Sequence, residues 1–98
     1  MSDRERPAPA AGTMRVVVVC PERALYDGEA ASVVAPAYDG QVGILPRHAP
    51  FLCLLGRGAL AVRAADGEHR FVVGGGFVQV ARNVVRVVAE TAEVAAAK

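Results

Sequence analysis

The stretch "ALAVRAADGEHRFVVGGGFVQVARNVVRVVAE", residues 59–90, decides the fold. Valine recurs through it at strand spacing, and a branched Cβ suits a pleated, half-buried surface better than a helix. Two hairpins are readable. "ALAVRA" and "HRFVV" flank Asp66-Gly67, where glycine tolerates the positive φ of a tight turn. "FVQVA" and "VVRVVA" flank Arg82-Asn83, and the alternation places Phe77, Gln79 and Ala81 on one face and Val78 and Val80 on the other. Gly74, Gly75 and Gly76 lie between the hairpins. No helix start follows them and no GK[ST] is present, so they predict a bulge or corner where backbones approach closely and not a phosphate cradle.

Working outward, the same rhythm of short β-branched segments continues in "RVVVVC" (15–20), "ASVVAPA" (31–37), "GQVGIL" (40–45) and "FLCLL" (51–55). Eight such segments predict an all-β sandwich or barrel, a single domain over residues 14–92. The opening "MSDRERPAPAAGT" is charged, rich in Pro and Ala and without periodicity, so residues 1–13 are expected to form a disordered leader, with Met14 an alternative start. The alanine-rich "ETAEVAAAK" after Ala89 suggests at most one or two helical turns, and residues 93–98 a short tail.

Composition narrows the function. The chain has 98 residues, 53% of them apolar, and a formal net charge of +1 with no run of three Lys or Arg, which is no footprint for nucleic acid. Three Phe, two Tyr and no Trp are too few for a base-stacking platform. No apolar run is longer than the five residues of Val16 to Cys20, far below the roughly 20 residues of a membrane helix. The leader lacks the hydrophobic core of an export signal, so a cytoplasmic address is expected. Cys20 and Cys53 form no CxxC and are expected to stay thiols.

The candidates for chemistry are few. His48 stands in "LPRHAP", stiffened by Pro46 and Pro50, but a general base also needs a partner and a pocket, and neither Ser2 nor Ser32 lies in a GxSxG setting. Cys20, His48, Cys53 and His69 are zinc-type ligands without the paired spacing of structural zinc sites, so no metal is expected. Asp27, Glu29, Asp39, Asp66 and Glu68 flank turns, where local backbone bonds favour them. A stiff corner remains: Gly40 and Gly43 allow sharp turning, and Pro46 and Pro50 remove freedom before any partner arrives, which lowers the ordering cost of binding. A small β-barrel holding a metal or nucleic acid through the His48 region is the alternative reading.

At this corner "DGQVGILPRHAPFL" (39–52) resembles the epsilon subunit family of F-type ATP synthases. The resemblance extends from "VVCPERALYDGEAASVVAPAYDG" to "FVVGGGFVQVARNVVRVVAETA", ending in Ala89-Glu90-Thr91-Ala92. It implies a flattened β-sandwich of about ten short strands and a non-catalytic rotor subunit of the central stalk. This subunit joins gamma to the c ring and so couples ion-driven rotation to ATP synthesis. By the same resemblance Asp39, Gly40 and Gln41 meet the c ring, while Cys20, His48 and Cys53 lie towards gamma. Relatives often carry an acid at the position of Gln41, so a neutral hydrogen bond is expected there. The complex implies a peripheral place on the cytoplasmic face of the inner (cell) membrane. Longer family members continue into a C-terminal helical hairpin that inhibits hydrolysis and in some binds ATP. The chain given ends at Lys98, so neither ATP nor another cofactor is expected to bind.

Overall fold

The computed structural model describes residues 12–95. The expected leader lies outside them except for Gly12 and Thr13, as does the end of the tail. The described chain is all β: β1 (Met14–Cys20), β2 (Arg23–Ala30), β3 (Ser32–Ala37), β4 (Gly40–Ile44), β5 (Phe51–Leu54), β6 (Gly58–Ala64), β7 (Gly67–Ala81) and β8 (Val84–Val94). One sheet runs β2-β1-β8-β7-β6-β3-β4, with β5 added to β7. All neighbours are antiparallel except β1 and β8, which are parallel.

The sheet folds over itself because β7 and β8 change neighbours halfway. The first part of β7 pairs with β6 and its last part, Phe77 to Val80, pairs with β5. The first part of β8 pairs with β1, whereas Thr91 to Val94 pair with β7 alone. One layer is therefore β2, β1, early β8, late β7 and β5. The other is late β8, early β7, β6, β3 and β4. Inward side chains of both layers meet in one core: Val16, Val18, Val78, Val80, Val85 and Val87 against Val33, Ala35, Ile44, Leu60, Val62, Phe71 and Val73. Each such side chain other than that of Ala35 contributes about 1.5–3 kcal/mol on burial, and no polar or charged residue is buried among the described residues. Phe77 faces outward while Val78 and Val80 are buried, as the alternation predicts.

The strands number eight, not the ten that the family resemblance implied, because β7 and β8 each run unbroken through both layers. The eight segments read from sequence also differ in detail. Two of them are the halves of β7, and β2 was not among them, since RALYDGEA carries charge and little apolar surface. The glycines at 74–76 form a corner without a bulge: Gly74 pairs with Thr91 and Gly76 with Ala89, the same register as on either side. The helical turns suggested for "ETAEV" do not form, because Thr91, Ala92, Glu93 and Val94 find strand partners in Gly74, Val73, Val72 and Phe71. Tertiary pairing outweighs the weak helix preference of so short a segment. The first hairpin turn is Ala65-Asp66, with Gly67 opening β7 at φ 127°.

Tyr26 of β2 closes one side of the sandwich, its ring 4.9 Å from that of His69 and 6.4 Å from that of Phe71, both on β7. Burial, then the carboxylates of Asp66 and Asp27, push its phenol above the ordinary 10.0. The protonated phenol is thus favoured by folding, a stabilisation present below the unfolded value near 10 and lost as pH rises through the higher folded value. In a Tyr38→Phe variant, where Tyr26 is the remaining tyrosine, phenolate absorbance should rise with a midpoint above 10.0 in the folded chain and fall back in denaturant. A midpoint at or below 10.0 in the folded chain would refute this packing.

Candidate interaction surface

The corner at residues 39–52 is built from two turns. The β3–β4 hairpin turns through Tyr38 and Asp39, and Gly40 takes φ 136°. After β4, Leu45 to His48 form a second turn, closed by the His48 amide on the Leu45 carbonyl at 3.1 Å. Pro46 stands at its second position and Arg47 at its third with φ 65°, the pattern of a type II turn. The Arg47 amide donates to Asn83 Oδ1 at 2.8 Å, and Asn83 Nδ2 donates to the Thr13 carbonyl at 2.9 Å. One side chain of the β7–β8 turn thereby holds both the corner and the entry of the chain into β1.

His48 is exposed, with Nδ1 2.8 Å from the Ala49 carbonyl and its ring 5.0 Å from that of Phe51 at 66°. A carbonyl only accepts, so Nδ1 carries the proton of this bond. Proline on both sides and an aromatic neighbour fix the ring's direction. Ala37, Asp39, Val42, His48, Phe51 and Cys53 border one open, largely apolar hollow between the free edges of β4 and β5. Burial, and secondarily the carboxylate of Asp39, push the Cys53 thiol up, which keeps it protonated and unreactive.

The expected ring-side and gamma-side residues are therefore neighbours, since Asp39, His48 and Cys53 share this hollow. Cys20 lies elsewhere, in a second hollow with Val19, Pro21, Gly76, Phe77 and Val88. β7 and β8 stand between Cys53 and the strand of Cys20, so three strand spacings of about 4.8 Å separate them. That exceeds the roughly 7 Å limit for a disulfide, and both are free thiols. His69 is remote from His48, bonded to Asp66 Oδ1 through Nε2 at 2.9 Å. This bond holds the Asp66 carboxyl below its ordinary 3.8. Among the described residues no group of three His, Cys, Asp or Glu is placed to hold a metal ion.

The residues that sequence reading missed lie on the outer face of β5 and β7, where Leu52, Leu54 and Phe77 border a third hollow with Cys53. Leu52 and Leu54 of β5 face outward, 67% and 63% exposed, opposite Gln79 and Phe77 of β7. Phe77 in turn pairs with Val88, and Val88 with Val19. Leu54, Phe77, Val88 and Val19 thus form an apolar row across β5, β7, β8 and β1 on the outer face of the first layer. Phe77 borders both this third hollow and that of Cys20, but not the one at His48. The signal was present in "FLCLL", where both parities of a strand are apolar and only one can face the core.

Residues 13–95 match the family model described as "ATP synthase, Delta/Epsilon chain, beta-sandwich domain". The ATP synthase epsilon chain of Alkalilimnicola ehrlichii is 46% identical over 81 residues, 82% of this chain and 58% of that protein. The ATP synthase epsilon chain of Alkalihalophilus pseudofirmus is 40% identical over 85 residues, 87% of this chain and 64% of that protein. Among solved structures, a chain of the Euglena gracilis mitochondrial ATP synthase assembly of OSCP, F1 and c-ring matches with a TM-score of 0.78. Its identity is 22%, over 95% of this chain and 59% of that one. A chain of the Tetrahymena thermophila mitochondrial ATP synthase central stalk and c-ring matches with a TM-score of 0.68 and 18% identity, over 89% of this chain and 69% of that one. The structural likenesses establish a shared fold. The chain spans about three fifths of the length of these curated relatives.

Proposed function

Because the chain belongs to the family of ATP synthase delta/epsilon chain β-sandwich domains, we propose that it is a non-catalytic rotor element of an F-type ATP synthase, fastening the gamma subunit to the c ring. The observation that carries this reading is the exposed apolar band of Leu52, Leu54 and Phe77 on the outer face of β5 and β7, the strand β5 being the one that the stiff corner at His48 leads into. Proteins seldom leave such a band in water unless a partner covers it.

The part asked of this domain is mechanical. Ion flow turns the ring, gamma carries the rotation to the catalytic subunits, and the link between them must pass torque without slip. A sandwich whose layers share β7 and β8 is a stiff body, because neither layer slides without bending both strands. Gamma covers the band together with Cys20, His48 and Cys53. Asp39, Gly40 and Gln41 meet the polar loops of the ring at the adjoining hairpin tip. Gln41 offers a neutral amide there, as donor and as acceptor. The domain sits peripherally at the cytoplasmic face of the cell membrane through the complex, and among the described residues no helix is long and apolar enough to cross it. It takes no part in bond making and needs no cofactor or ATP. The comparisons lend no support to the metal or nucleic-acid alternative.

The test is co-expression of the chain, tagged at Lys98, with gamma from the same organism. Capture of gamma in near-equal amount is expected, weakened by His48→Glu at the gamma side and unchanged by Gln41→Ala at the ring side. A tagged chain that emerges without gamma would refute the reading.

A further inference from the structure

Among the described residues, three other than glycine adopt positive φ: Arg47 at 65°, Arg82 at 53° and Asn83 at 62°. All three meet at one end of the sandwich, where Asn83 Oδ1 accepts the Arg47 amide at 2.8 Å. Arg82 and Asn83 form the two-residue β7–β8 turn, whose paired positive φ values define type I′ and favour Asn or Gly. Arg47 occupies the type II position that ordinarily takes glycine. The left-handed conformation is unfavourable for a long side chain, and such strained residues gather where a surface is used. Glycine serves this need elsewhere in the chain, at Gly40, Gly67 and Gly76 among others. Here two turns distant in sequence each carry an arginine in a conformation that suits arginine poorly.

Both guanidinium groups are exposed, and among the described residues neither has an ion-pair partner, in contrast to Arg15, which holds Asp27 at 3.1 Å. Arg82 borders an open hollow with Gln79, Ala81, Val84 and Arg86. Gln79 lies opposite Leu52, so this hollow continues the outward apolar band, and Arg47 precedes the His48 of the stiff corner.

We propose that this end of the sandwich takes an acidic segment of the gamma subunit, its carboxylates engaging the Arg47 and Arg82 guanidinium groups beside the Gln79 amide. The inference rests on the rotor reading above and adds to it the chemistry of the partner's surface. An apolar band alone does not fix the angle at which two bodies meet. Forked, charge-assisted hydrogen bonds are directional, and pairing at two points on preset turns fixes orientation and register.

The test uses the positive φ itself. Glycine adopts the conformation of both turns, so Arg47→Gly/Arg82→Gly removes the guanidinium groups and leaves the turns intact. Its affinity for purified gamma is expected to drop about tenfold at low salt, with a shallower salt dependence than the parent chain. Its thermal midpoint is expected to stay within a few degrees of the parent. Should the glycine pair melt early, Arg47→Asn/Arg82→Asn replaces it, since Asn also tolerates left-handed backbone. Undiminished affinity with an unchanged salt slope would overturn the proposal and leave the rotor reading standing. A parent chain that fails to bind gamma would sink the rotor reading and this proposal together.

Discussion

Gly76→Ala is expected to destabilise the domain by at least about 3 kcal/mol, lowering the urea midpoint by roughly 2 M at an m-value ordinary for this size. Gly76 has φ 99°, which side chains of L-residues rarely adopt. The space a Cβ would fill is also taken. It would run into the Val88 carbonyl oxygen, with the Val88 carbonyl carbon and the Ala89 Cα each at 2.9 Å. These are backbone atoms of β8, held by β7 on one side and, through Val88, by Val19 of β1 on the other. Relief therefore requires moving β8 at the corner that both layers share. Gly75 makes a useful contrast: it also has positive φ, at 73°, but a Cβ there would meet the movable side chain of Glu90, so alanine should cost less. Gly43→Ala meets nothing within 4 Å and should change stability by no more than about 0.5 kcal/mol. If Gly76→Ala unfolded within about 1 kcal/mol of the parent chain, the corner could not be the joint that the fold depends on.

That joint was only half visible in the sequence. Three consecutive glycines punctuate a valine-rich stretch, and local rules make such a run a boundary between strands. Its actual role depends on pairing with Ala89 and Thr91, partners that no local pattern identifies. The core of the first layer was legible because Val78 and Val80 alternate with outward residues. β2 was not, because an edge strand that puts Arg23, Asp27 and Glu29 into water carries no apolar alternation. At the corner, Gly40 by its backbone freedom and Pro46 and Pro50 by their restriction announced sharp, stiff turning. The long-range convergence was hidden: neither the Asn83 bond to the Arg47 amide nor the meeting of Asp39 with Cys53 follows from spacing. The resemblance to a family assigned roles to the corner and to both cysteines, yet left out Leu52, Leu54 and Phe77, which are exposed together on the outer face of the first layer.

Leu52→Asp/Leu54→Asp is expected to reduce affinity for gamma by about 100-fold or more while the domain stays folded. Both side chains are more than half exposed in the free chain and face away from the core, so their loss opens no cavity. The domain gives up the cross-strand contact of Leu54 with Phe77, worth about 0.2–1 kcal/mol. The bound state loses far more. A buried carboxylate without a counter-charge costs several kcal/mol, and two of them would stand in the middle of the band that gamma is proposed to cover. Val72→Asp serves as the control. Val72 is 52% exposed on the outer face of the other layer, so a charge there should leave gamma affinity unchanged. Full binding by the doubly substituted chain would exclude this face as the docking surface. Equal losses from both variants would mean that a general rise in charge, and not the place of Leu52 and Leu54, weakens the complex. Loss confined to the double substitution would tie gamma to the face where β5, late β7, early β8 and β1 lie side by side. That face begins at the glycine corner, so the joint that folds the sheet over also brings the apolar row of four strands to one side of the domain.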